Sequence, residues 1–429
     1  GTNQESPKLT INGGTFSGGI NTIKNDDNAI LIINDGSFSN VTQAVVQNNH
    51  VATINGGTFD ANAYHAIENR HFDGNHNTGS VTVTNGVFTG GLYTTEGAAW
   101  NITGGTYNIN PSVYVPNGYM VENDNGIYTV REATWNDYTA NSFNVVPAGF
   151  SMTTEEIKEI VNVFPAYTKH TITISSAEAL LYYGIKFDLE AAKQVEGNIF
   201  SNNRADQHGH VVEVKLGADI DLNNIELSAP LNIYAETFDG CNKTISNATI
   251  TNTASNGEAS LFRVHDVVKS TFKNVIIKNI TVVGGYEGNF NAGVVFGMTS
   301  GTDVSGVKVV DSSVVGGKYT GAIVGYAYGN VDNCAVENTT VNGGYKVGGI
   351  TGYIFNPNSS VTNNSLTGVT VKADPVISGK TAIIGKIVGN WNTDGNCYDN
   401  SFADGVTNAS DDIGHVETGK TVNTSAANP

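Results

Sequence analysis

Six aromatic residues in the last third of the sequence are the side chains best suited to bind a ligand. They are Tyr319, Tyr326, Tyr328, Tyr345, Tyr353 and Phe355. Residues of a strand alternate between its two faces, so Tyr326 and Tyr328 point outward if Gly325 points inward. One repeat later, Tyr353 and Phe355 occupy the equivalent outward places. Exposed aromatic faces bind sugar rings and protein surfaces, and we predict that these six residues bind a glycan or a surface protein.

The alternative for the same residues is internal packing under a covering loop. Two segments could supply that cover, residues 357–360 and the stretch around Asp374 and Pro375. A ring covered in this way contributes to the core and is closed to a ligand. The sequence leaves binding and packing open.

The rival functional prediction is a carbohydrate-active enzyme, either a polysaccharide lyase or a glycoside hydrolase. A lyase needs a strong base and cations that neutralise an acidic sugar, but Arg70 and Arg131 do not lie in a repeat strand flanked by acids. The letters Asn392-Thr393-Asp394 match the first motif of polygalacturonase-type hydrolases, yet the later motifs are missing. A glycosidase needs two carboxylates about 5–10 Å apart. We therefore predict binding without catalysis and assign no catalytic residue.

Histidine and cysteine do not form a recognisable metal motif. Four histidines cluster in the first third, His50, His65, His71 and His76, without an ordered set of carboxylates beside them. The three cysteines, Cys241, Cys334 and Cys397, have no metal-ligand spacing, and an odd number makes no disulfide framework. We predict surface histidines, partly buried cysteines, no metal and no cofactor.

Charge and hydropathy exclude several classes of partner. The 429 residues carry a net charge of −18 and only four arginines, whereas nucleic acid requires a basic surface. No apolar run approaches the roughly 18 residues that span a bilayer. We expect a monomer outside the cell or on its outer surface. The polar start at Gly1 suggests a trimmed export signal and leaves a lipid anchor at that terminus open.

Internal repeats predict the architecture. The first third carries one phrase five times, beginning as Leu9-Thr-Ile-Asn-Gly-Gly-Thr-Phe16, and its aromatic residue recurs at somewhat irregular intervals. Alternation within the phrase predicts a strand with one buried face. Two inward columns should result, one of Ile11, Ile33, Ile54, Val83 and Ile102 and one of Phe16, Phe38, Phe59, Phe88 and Tyr107. The glycines between them allow the positive φ of a corner.

A second, longer repeat fills the last third. Its phrases end at Gly297, Gly325, Gly352 and Gly385, and these glycines are farther apart than the aromatic residues of most repeats in the first array. Between the two arrays, Thr153–Glu156 and Ser175–Glu178 have the pattern of capping boxes that open amphipathic helices. We read these helices as a cap over the second array, because a stack of strands otherwise ends in an open edge.

The predicted fold class is all-β, a right-handed parallel β-helix in two solenoid segments with a small helical cap or linker between them. The predicted domains are residues 1–132 for the first β-helix, 133–210 for the linker and cap, and 211–429 for the second β-helix. Each array should form a rod whose core grows with the number of repeats.

Two stretches resemble known families. From about Ser175 onward the sequence resembles the GLUG-motif β-helices of bacterial surface proteins, through Leu216–Leu222, Glu236–Ser246 and Ala259–Phe262. The stretch that ends at Val130 is similar to the Gly-Gly-Thr-Phe arrays in exported proteins of Bacteroides-like gut bacteria. The resemblance implies a right-handed parallel β-helix, export and an adhesin-like role. The GLUG signature Gly-Leu-Phe-Gly is reduced here to Ser260-Leu-Phe-Arg263.

Overall fold

The computed structural model describes residues 6–71, 78–139, 146–152, 170–187, 211–233, 235–253, 257–264, 270–285, 290–374, 376–402 and 411–424. The chain divides into two compact units, Gly1–Pro147 and Ala148–Pro429. Both are built mainly of strands in long parallel sheets. No helix in the described ranges has the length and apolar character to cross a bilayer.

Two sheets form the first unit. Sheet 1 has the strands Lys8–Ile11, Ile30–Ile33, Val51–Ile54, Ser80–Val83 and Ala99–Ile102, paired in that order. Sheet 2 contains Thr15–Ser17, Asn21–Asn25, Ser37–Ser39, Ala44–Asn48, Thr58–Asn69, Val87–Thr94, Gly105–Tyr107, Tyr119–Asp124 and Ile127–Glu132. The last two strands form an antiparallel hairpin, which pairs with Gly105–Tyr107. A 3-10 helix, Ser112–Tyr114, and an α-helix, Trp135–Thr139, complete the unit.

Both predicted inward columns are confirmed. Parallel pairing aligns Ile11, Ile33, Ile54, Val83 and Ile102 in sheet 1, and aligns Phe16, Phe38, Phe59, Phe88 and Tyr107 in sheet 2. Successive rings of the second column stack at 5.1, 5.0, 4.8 and 4.8 Å between centroids. The spacing is close to the distance between neighbouring strands, so each repeat adds one ring to the core.

The corner before each ring depends on glycine. Gly36 has a φ of 141°, and a Cβ atom at this position would lie 2.8 Å from the ring of Phe38. The corner therefore needs both the backbone freedom of glycine and the missing side chain.

Buried amides link the repeats of the first unit. The side chain of Asn25 donates to that of Asn48 over 2.7 Å, and Asn48 donates to Asn69 over 2.9 Å. All three side chains are buried. Because each amide is both donor and acceptor, the row satisfies polar groups that burial would otherwise penalise.

Four sheets form the second unit. Sheet 3 contains His170–Ile174, Val211–Leu216, Ile220–Leu227, Thr237–Asn252, Thr271–Gly284, Asp303–Ser305, Lys308–Val310, Ser313–Val315, Val331–Asp332, Ala335–Glu337, Thr340–Gly343, Ser365–Thr367, Thr370–Ala373 and Ser401–Phe402. Sheet 4 contains Leu231–Ile233, Phe262–Val264, Phe296–Met298, Val324–Ala327, Thr351–Ile354, Val388–Trp391 and Ile413–Val416. Sheet 5 contains Glu258–Ala259, Asn291–Gly293, Tyr319–Gly321, Lys346–Gly348 and Ile383–Gly385. Sheet 6 contains Ser359–Ser360, Gly395–Asn396 and Val422–Asn423.

Sheets 4 and 5 approach each other so closely that only glycine fits at their contact. A Cβ atom on Gly352 would lie 2.4 Å from the backbone nitrogen of Thr320. Gly325 lies one strand earlier, and there a Cβ atom would lie 2.8 Å from the backbone of Ala292. The repeated glycine therefore allows the chain to fold back sharply between a strand of sheet 5 and the next strand of sheet 4.

The predicted alignment of the last glycine is wrong. Gly385 pairs with Gly348 in sheet 5, and the register Thr351 to Val388 in sheet 4 places Gly389 beside Gly352. The misalignment arises because the segment between the paired strands is longer in this repeat. The interval from Gly352 to Gly389 exceeds that from Gly325 to Gly352.

One predicted helix of the middle segment is present. Residues Ala177–Leu181 are α-helical and continue as a π-helix, Tyr182–Phe187. The N-cap is Ser176, whose hydroxyl accepts from the amide of Ala179 over 3.1 Å. It replaces the predicted cap, Ser175, whose amide donates to the carbonyl of Gly149.

The helical segment that ends at Phe187 lies against Leu231–Ile233, the first strand of sheet 4, where a cap is expected. The side chain of Asn232 donates to the carbonyl of Gly184 over 3.2 Å. The helix predicted at 153–164 and residues 188–210 lie outside the described residues. The predicted boundaries at 132 and 210 stay predictions.

Candidate functional site

The predicted outward tyrosines belong to one row of sheet 4. Val324–Ala327 pairs in parallel with Thr351–Ile354, and this register places Tyr326 directly beside Tyr353. The row continues to Asn390 on the following strand. Parallel pairing of equivalent repeats thus brings the two tyrosines together, as the spacing predicts.

Sheet 5 supplies a second row beside the first. Tyr319 pairs with Lys346 in this sheet, and the amide of Lys346 donates to the carbonyl of Lys318 over 2.9 Å. The order of the two residue types is inverted between the repeats, Lys318-Tyr319 in one and Tyr345-Lys346 in the next. Ring and ammonium groups therefore alternate at this edge.

Five of the six predicted residues form a continuous set of ring contacts. Tyr319 stacks on Tyr353 with centroids 4.6 Å apart, and Tyr326 stacks on Tyr353 at 5.1 Å. Tyr328 and Phe355 meet edge to face at 5.4 Å. Stacked and edge-to-face pairs stabilise one another beyond the area they bury. We call Tyr319, Tyr326, Tyr328, Tyr353 and Phe355 the aromatic strip.

The strip is partly packed and partly open. Phe355 is 43% exposed and Tyr353 is 7% exposed, while Tyr326 and Tyr328 are half-buried. Tyr353 is thus covered by its neighbours in the strip and by Lys346, whose ammonium lies 4.3 Å from its ring centroid. The surface open to a ligand is formed by Phe355 and by the partly exposed Tyr319, Tyr326 and Tyr328.

The two loops considered as covers leave Phe355 in contact with solvent. Residues 355–358 are themselves exposed, and the side chain of Asn356 donates to the carbonyl of Tyr328 over 2.8 Å. Asp374 is exposed and hydrogen-bonds with its backbone to Asn342. Pro375 lies outside the described residues.

Lys346 places a buried cation among the rings. Its side chain is 8% exposed, and its ammonium lies 5.7 Å from the centroid of Tyr319 and 5.4 Å from that of Tyr345. Burial lowers the pKa of Lys346, Glu417 opposes this shift, and Lys318 and Lys380 add to it. The rings and Glu417 compensate part of the cost of burying the charge.

Glu417 is the carboxylate partner of this lysine. Its Oε1 atom lies 3.5 Å from Nζ of Lys346 and accepts a 3.1 Å hydrogen bond from the side chain of Asn390. Burial alone would raise the pKa of Glu417, but the Asn390 hydrogen bond and the Lys346 charge lower it below its usual value. The carboxylate is therefore ionised at neutral pH.

The hydroxyls of Tyr326 and Tyr353 stay protonated at neutral pH. Burial raises the pKa of Tyr353 to about 12 and raises the pKa of Tyr326 still further above its ordinary value. The hydroxyls of Tyr326 and Tyr328 lie 3.1 Å apart, within hydrogen-bond distance. The strip therefore offers neutral rings and hydroxyl groups for contact with a polar ligand.

A second cluster of charged side chains lies in the first unit, around the buried carboxylate of Glu68. Arg70 follows the repeat strand Thr58–Asn69, and its Nη2 atom lies 2.6 Å from the buried carboxylate of Glu68. His65 donates from Nδ1 to the same carboxylate over 2.8 Å if that nitrogen carries the proton. The ring of Tyr93 lies 5.2 Å from that of His65. An arginine beside an acid does therefore occur at a repeat strand.

Arg131 also has acidic partners. It lies on Ile127–Glu132 and pairs with Glu122 at 2.7 Å and with Asp137 at 2.9 Å. These contacts tie the hairpin to the helix that begins at Trp135. Arg131 thus has acidic neighbours on the hairpin, outside the repeat strands, and its contacts indicate a structural role.

The other sequence candidates have local structural partners. Asp394, from the hydrolase-like triplet, accepts from the amide of Thr421 over 2.8 Å. The rings of His50 and His71 bond to Ala29 and Thr78, and His76 lies outside the described residues. Across the described ranges, no three His, Cys, Asp or Glu side chains converge as a metal site would require.

Sequence reasoning missed Lys346, Glu417 and the Glu68 cluster. The inverted Lys-Tyr order after the two Gly-Gly pairs was the available signal for Lys346. No sequence signal was available for Glu417. It follows Ile413–Val416, which lies two strands beyond Thr351–Ile354 in sheet 4 and keeps little of the repeat phrase. The partners of Glu68 are His65 and Arg70, which are close to it in the sequence, and Gln43, on the preceding repeat. This spacing matches no motif that would have marked the cluster in the sequence.

Comparison with known proteins gives one distant likeness. No protein family and no curated protein matches this sequence. A solved structure described as "a putative immunoglobulin A1 protease from Bacteroides ovatus" is similar at 20% identity and a TM-score of 0.36. The likeness covers 59% of this chain and 83% of that one.

Proposed function

We propose that this chain is an adhesin-like bacterial protein, secreted or displayed on the outer surface, that binds a glycan through the aromatic strip without transforming it. The proposal includes a right-handed parallel β-helix in each unit as the scaffold. Supporting that scaffold, strands return in parallel register at intervals of one repeat, with stacked inward columns. The motifs similar to GLUG and Gly-Gly-Thr-Phe arrays support the surface location.

The observation that carries the binding proposal is the continuity of the strip. Its rings run from Tyr319 to Phe355 across two sheets, and Phe355 remains 43% exposed at the end. A packed set of rings holds the exposed ones in fixed positions, so a sugar ring stacks on them at little cost in side-chain entropy. The strands beneath are short and paired on both sides, which keeps the platform rigid.

A glycan array with the full chain tests this proposal. We expect binding to at least one class of glycan and a loss of about tenfold or more in affinity for Phe355→Ala, as for an aromatic anchor of a binding site. Tyr64→Ala is the matched control, because Tyr64 is 45% exposed in the first unit. Equal loss for Phe355→Ala and Tyr64→Ala, or none for either, contradicts the proposed site.

Capture of a surface protein instead of a glycan is the other outcome of binding. It would show as binding to a purified surface protein that survives enzymatic deglycosylation of that protein and still falls with Phe355→Ala. The strip would then keep its role with a different class of partner, and the glycan part of the proposal would be overturned.

One observation favours the rival function, a carbohydrate-active enzyme. The buried carboxylate of Glu68 orients the side chains of His65 and Arg70 through hydrogen bonds. The ring of Tyr93, which is 41% exposed, packs against that of His65. An imidazole oriented by a carboxylate resembles the base of a proton-transfer site. The carboxylate itself accepts hydrogen bonds from three side chains, which fits an orienting group. Release of reducing ends from polysaccharides, abolished by His65→Ala, would establish this function.

A further inference from the structure

We propose that the ligand of the aromatic strip carries an anionic sugar, with a carboxylate or sulfate group bound by the lysines at the Tyr345 end. This inference rests on the proposed glycan binding and adds the chemical class of the ligand. The contacts that carry it are those of Lys318, Lys346 and Lys380 with the rings.

The three lysines are concentrated against the overall charge of the chain. The whole sequence has 22 Lys and Arg against 40 Asp and Glu, yet three ammonium groups lie close to two neighbouring rings. Lys318 lies 4.9 Å from the centroid of Tyr319, and Lys380 lies 5.4 Å from that of Tyr345. Lys346 approaches both rings. A local excess of positive charge in an acidic protein attracts an anion to that place.

The strip has two chemically different ends. At one end Phe355 contacts Tyr326, Tyr328 and Tyr353. At the other end Lys346 lies 5.7 Å from the ring centroid of Tyr319 and 5.4 Å from that of Tyr345, a ring outside the strip, and Lys380 also lies 5.4 Å from that of Tyr345. A chain of sugars would stack one ring at the Phe355 end and place an acidic group at the lysine end. Ring contact and charge would act on the same ligand and fix its direction.

Lys346 is the buried member of the lysine group. Its ammonium has three donors, and its ion pair with Glu417 is long, at 3.5 Å. A charged group buried with incomplete pairing is unfavourable, and a second anion nearby improves its surroundings. The lowered pKa of Lys346 is consistent with this, because burial and two neighbouring lysines oppose its charge. The outer lysines, Lys318 and Lys380, are the ones that a ligand reaches.

Matched ligands and variants of the full chain test the inference. The carboxylate probe is an oligogalacturonide and its neutral form is the methyl ester; the sulfate probe is a sulfated galactan oligosaccharide and its neutral form is the desulfated one. We expect the chain to bind at least one acidic form about tenfold or more tightly than its neutral form. The preference should weaken as salt is added.

The variant Lys318→Gln/Lys380→Gln should remove that preference, so that the acidic and neutral forms bind to it with equal affinity. Lys278→Gln is the control, because Lys278 is exposed on Thr271–Gly284 of sheet 3. Equal affinity of the natural chain for the acidic and neutral forms overturns the inference. A preference for the acidic form that the double variant retains also overturns it. If Phe355→Ala weakens binding while charge has no effect, the glycan proposal stands and the anionic one fails. If no glycan binds, both fail.

Discussion

The ammonium of Lys346 lies 4.3 Å from the ring centroid of Tyr353. This buried cation has Glu417 as its ion-pair partner, so removal of the Glu417 charge should leave it uncompensated. We expect Glu417→Gln to lower the free energy of unfolding by about 1–3 kcal/mol, the range for a buried polar group that loses its partner. Urea denaturation of the full chain measures the change.

The control is the double variant Lys346→Met/Glu417→Gln. It removes both charges and keeps an unbranched side chain over Tyr353, so most of the lost stability should return. If the double variant is as unstable as Glu417→Gln alone, the cation is not the origin of the effect.

Truncation of Phe59 should damage the core of the first unit. Its ring is fully buried and stacked between those of Phe38 and Phe88 at 5.0 and 4.8 Å. We expect Phe59→Ala to lower the free energy of unfolding by about 3–5 kcal/mol, as for other buried aromatic residues. Phe16→Ala, at the half-buried end of the same column, should have a smaller effect. Equal losses would show that the column does not act as a stacked core.

Alanine at Gly352 should disrupt the contact between sheets 4 and 5. The added Cβ atom would lie 2.4 Å from the backbone of Thr320, and backbone atoms of paired strands cannot move aside cheaply. We expect a large loss of soluble, folded protein, seen by circular dichroism and thermal melting. Gly379→Asn is the control, since Gly379 has open space around it and a φ of 74° that asparagine tolerates. A normal melting curve for Gly352→Ala would contradict the close approach.

The stability of the first unit should fall in alkaline solution through Tyr107. Burial raises the pKa of Tyr107, and its hydroxyl donates to the carbonyl of Gly104 over 2.9 Å. A raised folded-state pKa gives stability that is complete below the unfolded value of about 10 and declines as pH rises above it. Urea denaturation at about pH 8 and pH 11 should therefore show a smaller loss for Tyr107→Phe than for the natural chain. Equal losses would exclude Tyr107 as the source.

The sequence predicts the inward columns well because each repeat states the same pattern again. Ile54 and Phe59 belong to a phrase that occurs five times, so an ambiguous position in one copy can be assigned by comparison with the other copies. Parallel pairing converts that spacing directly into contact. The positions of Tyr326 and Tyr353 follow for the same reason.

The partners of the strip were harder to predict because they depend on an exchange of residue types between two repeats and on residues from distant strands. Tyr345 and Tyr319 occupy different rows, since lysine and tyrosine exchange places between the two repeats. Gly385 was misaligned because a longer connection precedes it. Single-sequence periodicity gives no information on such connections. The covering of Tyr353 by Lys346 could only be seen in three dimensions.

The three cysteines have a practical consequence for following this molecule in solution. Cys241 is exposed, whereas Cys334 and Cys397 are buried, and burial raises the pKa of each of these two thiols to about 12. A thiol-reactive dye should consequently label each folded molecule once and each denatured molecule three times. The chain thus carries one natural attachment point for a fluorophore, together with two silent reporters that become reactive only when the interior of the second unit opens.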